Sequence, residues 1–321
     1  MSPPNIDDVR ALAEKVSNWG RWGPDDERGT LNLITPERVV RAAGLVRTGR
    51  TVSLALPFDS RGPQEGGFNR FNPIHLMLRD GADALAGTMV RDFYGGRDGH
   101  VRGTDDIVIM PLQCGTQWDA LSHVVFDGQI YNGYSADQVT SVGALKNDVT
   151  AAQDRLVARG VLLDMARHLN RTPLEDGYVI TADDLRGCAD AQGVSVGEGD
   201  IVLVRTGQLP DRQGNGWRGF AGGDAPGLGL EAVEWIAEKQ LAGIATDTWG
   251  MEVRPNQTPD VSQPLHIILL VFMGLWIGEI WHMEELSVAC RDENRYEFML
   301  CAPPLPFTGA VGSPVNPVAV L

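Results

Sequence analysis

The chain has 321 residues, 43% hydrophobic and 21% charged, a composition that belongs to a folded chain able to bury its own core. Its net charge of −15 argues against a nucleic-acid partner and against docking on an anionic membrane, since both need clustered Lys and Arg. Four cysteines, Cys114, Cys188, Cys290 and Cys301, lie far apart with no CxxC pair and read as reduced, mostly buried thiols of a cytoplasmic protein.

The N-terminal stretch MSPPNIDDVRALAEK carries acids where a signal peptide would carry a basic end and an apolar run. Residues 7–17 have helical spacing, with acids in the first turn favouring the helix dipole. A Trp- and Gly-rich loop follows. Its Trp19 and Trp22 either cover an apolar ligand or pack against their own domain. A second helix starts at Thr35-Pro36-Glu37, with Thr35 as N-cap and Pro36 at the first helical position.

Residues 51–57 alternate as a strand. The region from Ser60 to Arg102, rich in Gly, Asp, Arg and Asn, reads as irregular connections with one short strand near His75. Further strand-like runs fall at 107–112, 160–164, 200–205, 243–247 and 267–277, and helical patterns at 150–158, 181–191 and 230–239. The segment TADDLRGCADAQG from Thr181 has an N-cap, early acids and a terminal glycine. The apolar run after His266 is too short and too interrupted by glycine to span a bilayer. No repeat or linker divides the chain, so residues 1–321 read as one α/β domain with long loops, residues 1–50 supplying N-terminal helices and the Trp-rich loop.

Several chemistries lack their motifs. There is no GxxxxGK(S/T), HExxH or GxSxG pattern, and Gly227 and Gly229 lack the third glycine and preceding strand of a dinucleotide site. Polar groups able to bind metal instead cluster in QCGTQWDALSH, residues 113–123. Strand alternation aims Gln113, Gln117 and Asp119 to one side, and the Gly115-Thr116 step lets the backbone bend. A carboxylate supplies charge and a glutamine a neutral carbonyl oxygen, which favours harder ions such as manganese. Taken alone, the cluster reads first as a polar strand end whose buried amides bond a neighbouring loop. His266 and Glu279 bracket the apolar run, where burial is costly unless they are paired, solvated or metal-bound.

GTQWDALSH resembles the signature of the cyclase superfamily, which includes kynurenine formamidase, isatin hydrolase and trans-dienelactone hydrolase. The family pattern is His-x-Gly-Thr-His-x-Asp-x-Pro-x-His. Gly115, Thr116, Asp119 and His123 match it, while Gln113 and Gln117 replace its first two histidines and Leu121 its proline. The segments GDIVLVRTG (199–207), GIATDTWG (243–250), IGEIWHMEEL around Glu279 and GSPVNPVAV (312–320) are similar in order, and a branch carrying GTQWD is the nearest likeness.

The resemblance implies a swivelling β/β/α domain with a mixed sheet, assembled as a homodimer or homotetramer. It implies hydrolysis of amides and lactones with one or two divalent ions, Mn2+ or Zn2+. By it, Gln113, Gln117 and Asp119 line the metal position, His266 and Glu279 complete the site, and His123 transfers protons. His266 either ligates or stabilises the oxyanion. The expected enzyme is a metal-dependent hydrolase opening a small lactone, cyclic amide or related acyl bond, with weaker metal affinity than histidine-rich relatives because amides are poorer donors. Trp118, Trp249, Trp19 and Trp22 favour an aromatic or apolar substrate, or are simply core. Two rival readings are a metal-independent hydratase, lyase or cyclase working through His123 and Glu279, and a non-catalytic small-molecule binding protein.

Overall fold

The computed structural model describes residues 3–88, 97 and 100–321. The first strands among these residues are β1 (Thr51–Ser53), β2 (Ile74–Arg79), β3 (Asp105–Ile109), β4 (Gln117–Asp119), β5 (Val139–Thr140), β6 (Gly143–Ala144) and β7 (Val157–Asp164). The rest are β8 (Val179–Ile180), β9 (Ile201–Arg205), β10 (Gly227–Leu228), β11 (Gly243–Thr246), β12 (Trp276–Glu279), β13 (Glu297–Cys301), β14 (Gly312–Pro314) and β15 (Val318–Val320).

Nine of these strands form one mixed sheet, in the order β1-β15-β13-β7-β9-β11-β12-β4-β14. Its centre, β7-β9-β11-β12, is parallel, and the pairings on either side of that centre are antiparallel. The central strands Ile201–Arg205 and Gly243–Thr246 are buried throughout, as parallel strands covered on both faces must be. Where β7 passes β13, a Cβ on Gly160 would lie 2.3 Å from the Phe298 ring, so glycine makes room for that ring.

Local signals place most of the helices. Asn5 caps Ile6–Lys15 in a capping box with Asp8, Thr35 caps Pro36–Ala43, and Thr181 caps Ala182–Gln192 in a box with Asp184. Two expectations fail. The run 267–277, read as a strand, is helical over Pro264–His266 and continues as a π-helix over Ile267–Met273, leaving Trp276–Glu279 as strand. Ile268 to Val271 are fully buried, and an apolar surface all round carries neither a period of 2 nor one of 3.6. Gly274 ends the helix at φ 63°, where a Cβ would fall 2.4 Å from the Tyr131 ring. The helix expected at 150–158 is only a short turn, Val149–Ala152, because β7 already begins at Val157.

Two expected strands move as well: β1 stops at Ser53 rather than residue 57, and the strand read at 107–112 runs Asp105–Ile109 instead. That strand, β3, pairs antiparallel with β2 outside the main sheet, and both are largely exposed. No helix among the described residues is long and apolar enough to cross a membrane.

Candidate metal and catalytic site

The site is assembled where β4 inserts between β12 and β14. In that register Gln117 lies opposite Glu279, and Asp119 opposite Ile277 and Gly312. Alternation turns Gln117 and Asp119 to one face and Trp118 to the other. Trp118 packs edge-on against Trp281, with centroids 4.9 Å apart, and donates Nε1–H to the Ala302 carbonyl at 2.9 Å. It is a core residue, which corrects its assignment to a substrate pocket.

The Gly115-Thr116 step works by close approach. Gly115 is absent from the positive-φ region, and a Cβ there would meet Phe58 at 2.8 Å. Thr116 Oγ1 donates to Ile280 O at 2.6 Å and accepts from Leu56 N at 2.9 Å, fixing the entry to β4.

His266 enters from the helical segment after Pro264 and is buried. Its Nδ1 lies 2.5 Å from Glu252 Oε2, and its Nε2 lies 3.1 Å from Glu279 Oε1 and 3.8 Å from Asp119 Oδ2. Glu279 also accepts Gln117 Nε2–H at 2.9 Å and the Met251 N–H at 3.2 Å. Asp119, His266 and Glu279 can each direct one ligand atom so that all lie within 4.8 Å of one another. Among the described residues, both Asp119 oxygens and Gln117 Oε1 are buried without a hydrogen-bond partner.

Three buried carboxyl groups, Asp119, Glu252 and Glu279, thus face one imidazole. Burial, reinforced by the charge of Glu279, pushes Asp119 up to about 8. Burial opposes charge on His266, but Glu252 and Glu279 outweigh it and raise the imidazole well above its usual range. Burial likewise opposes ionisation of Glu279, yet the hydrogen bond and charge of His266 bring that carboxyl below its usual value. An excess of buried acid with orphaned oxygens is the environment a cation relieves, so these residues fit a divalent ion.

His123 stands at the edge of this group. Its Nε2 is 3.8 Å from Asp119 Oδ1, and its Nδ1 has no partner among the described residues. Burial, with the positive charges of Arg70 and His266, lowers its pKa to about 4, leaving a neutral base at physiological pH.

Gln113 lies in the turn before β4. Its side chain presses on β14, where a Cβ on Gly312 would come 2.6 Å from Gln113 Nε2. Burial pushes the neighbouring Cys114 thiol up to about 11, so it is no nucleophile. Trp249 is buried, donates Nε1–H to Gln64 Oε1 at 3.3 Å, and packs against Phe68 and beneath Arg70. Trp19 stacks on Phe272 at 5.2 Å and donates to Val271 O, so it packs against its own fold, while Trp22 lies under Arg21.

Sequence reasoning missed Glu252 and Arg70. Glu252 offered one signal, an acid inside the mostly apolar stretch 248–253. Arg70 lies in the irregular region and offered none.

A curled mixed sheet with a buried Asp–His–Glu group defines an α/β protein carrying a candidate metal centre. Residues 46–253 match the family described as "Putative cyclase", and the chain belongs to that cyclase family. It is similar to a crystal structure described as a novel cyclase, at 40% identity over 96% of this chain and 99% of that one, with a TM-score of 0.84. The fold is also that of isatin hydrolase A from Ralstonia solanacearum, at 20% identity over 89% and 98% of the two chains and a TM-score of 0.62. Isatin hydrolase A from Labrenzia aggregata, bound to benzyl benzoate, is similar at 20% identity over 88% and 97%, with a TM-score of 0.59. A comparison with curated proteins finds no match.

Proposed function

We propose that this cyclase-family chain is a metal-dependent hydrolase that opens a small lactone, cyclic amide or related acyl C–O or C–N bond. One observation carries the reading: the ligand atoms of Asp119, His266 and Glu279 converge within 4.8 Å in a buried, acid-rich site. The shared fold with isatin hydrolases supports it.

Asp119, His266 and Glu279 would hold the ion, Mn2+ or Zn2+, with Gln117 Oε1 as a neutral fourth donor. Bound there, such an ion supplies Lewis-acid polarisation and eases water deprotonation near neutral pH. With Nδ1 committed to Glu252, Nε2 is the atom His266 has left to offer. His123, neutral above about 4, takes a proton from water and returns it to the leaving oxygen or nitrogen. The water oxygen joins the acyl carbon, the C–O or C–N bond breaks, and a carboxylate is released.

A second reading, acid–base chemistry by His123 and Glu279 without an ion, is favoured by the hydrogen bonds that already engage Glu279. A screen of lactones, imides and formamides with added Mn2+ or Zn2+, repeated after chelation, separates the two. The hydrolase reading expects activity that needs the ion and disappears in Asp119→Ala. Full activity after chelation overturns it.

We also propose that the chain works as a homodimer, or as a homotetramer built from such pairs. The β2–β3 pair exposes Leu76 (53%), Leu78 (61%) and, opposite Leu76, Ile107 (41%), and among the described residues no third strand joins it, an arrangement that is marginal in water. A second copy of the chain is the occupant that would bury it.

A further inference from the structure

We propose that Arg70 is the anion-binding residue of this site, holding a carboxylate carried on an aromatic or apolar ring that packs against Phe68. The inference rests on the hydrolase reading for its substrate class and adds the group that recognises it.

The guanidinium of Arg70 sits over the Trp249 ring, 5.1 Å from its centroid, and makes one long hydrogen bond, 3.4 Å, to the Gln113 carbonyl. That carbonyl belongs to the turn leading into β4, so Arg70 borders the strand that carries Gln117 and Asp119.

Most partly buried arginines are paired with a carboxylate; Arg70 and Arg254 are not, and of these two only Arg70 bonds the segment leading into β4. Arg205 pairs with Asp164 and Glu284, Arg159 with Asp200 and Glu297, and Arg212 with Asp176. Arg70 has no carboxylate within 4.0 Å among the described residues. A guanidinium whose plane is steadied by an indole keeps its N–H donors in a fixed fork, the shape that bonds a carboxylate at two points.

The chain around it is arranged at some cost. Gly66, Phe68 and Asn69 have φ of 91°, 55° and 57°, a region that non-glycine residues seldom occupy. Phe68 lies 62% exposed, with its ring 5.1 Å from that of Trp249. Phe68 and Arg70 both pack on the buried Trp249, so one exposed apolar ring and one cation share the same indole. Hydrolysis of a neutral lactone or cyclic amide creates a carboxylate where there was none, and Arg70 supplies a second cation, besides the ion, for an anionic group on the ring.

The test uses benzoate and its neutral isostere benzamide as probes on the Mn2+-loaded full chain, with binding read by calorimetry and tryptophan fluorescence. The expected result is that Arg70→Gln weakens benzoate binding by about ten- to a hundred-fold, as for a lost charge-assisted hydrogen bond. Benzamide affinity should stay as it was, and Arg70→Lys should recover part of the benzoate affinity. No binding of benzoate to the parent chain, no loss in Arg70→Gln, or equal loss for both probes overturns the proposal. Because binding is read without turnover, Arg70-dependent benzoate binding in a chain that hydrolyses nothing would sink the hydrolase reading alone. Turnover with benzoate binding indifferent to Arg70 would sink this inference alone.

Discussion

Glu252 holds His266 through Nδ1 at 2.5 Å, and this contact decides which edge of the imidazole meets Asp119 and Glu279. A carboxylate behind a ligating histidine sets its tautomer and raises its basicity. Glu252→Gln keeps the shape and an acceptor but loses the charge. Mn2+ affinity should fall by about 10- to 100-fold, measured by calorimetry. An unchanged affinity would show that His266 does not ligate.

Asp119→Asn should separate function from stability. The variant should lose Mn2+ binding and ring-opening activity, yet its ion-free form should melt at the same temperature as the parent or higher. The reason is that both oxygens of Asp119 are buried without partners and burial pushes its pKa to about 8, so folding at neutral pH must protonate it, a cost that a neutral amide avoids. Thermal melts with chelator and with Mn2+ read both arms, and a large loss of stability in chelator would count against this account.

His123→Asn addresses proton transfer. The expected drop in kcat is about 100- to 10,000-fold, with Mn2+ affinity retained, because His123 stands beside the ligand group rather than in it. A loss of ion binding of similar size would recast His123 as a ligand.

Asp164 anchors a separate ionic cluster. Arg205 Nη1 reaches it at 2.7 Å and grips Glu284 through Nε and Nη2, while the Ser287 hydroxyl donates at 2.5 Å. Burial works against the Asp164 carboxylate, but Arg205, Ser287 and Arg167 prevail and set its pKa below the ordinary value. With the folded pKa lowered, the carboxylate contributes stability above the unfolded pKa of about 4, and that contribution disappears as pH falls through the folded value. Urea midpoints should therefore drop below about pH 4, less steeply in Asp164→Asn. Arg205→Met, which strands a buried carboxylate, should cost about 3–5 kcal/mol at pH 7.

Leu76→Glu combined with Leu78→Glu tests assembly. Light scattering should report a dimer, or a multiple of it, for the parent and a monomer for the variant, since two charges on one face of β2 oppose burial there. A parent chain that runs as a monomer would refute the assembly.

Much of the site was legible because it is local. The spacing of Gln117, Asp119 and His123 within GTQWDALSH carries both the family likeness and the strand geometry. Alternation even held a warning about Trp118, which sits between Gln117 and Asp119 and so must face away from them. Contacts made across the fold were not legible. Glu252 and His266 meet only because the chain turns between β11 and the helix after Pro264, and no period records that turn. The segment Ile267–Met273 was misread because its helical face and its back are equally apolar. The exposure of β2 and β3 was hidden for a related reason, since apolar strands read as buried whether or not this chain supplies the cover.

The shortness of β4 has a consequence for how this site can change. Three residues, wedged between β12 and β14, hold Gln117 and Asp119 inward and Trp118 outward. Deleting one residue from the turn before it would invert that order, driving the indole among the acids and Asp119 towards Trp281. Point substitutions can therefore retune the donors one at a time, amide for imidazole included. Insertions and deletions cannot. The chemistry of the pocket is adjustable, and the count of residues leading into it is not.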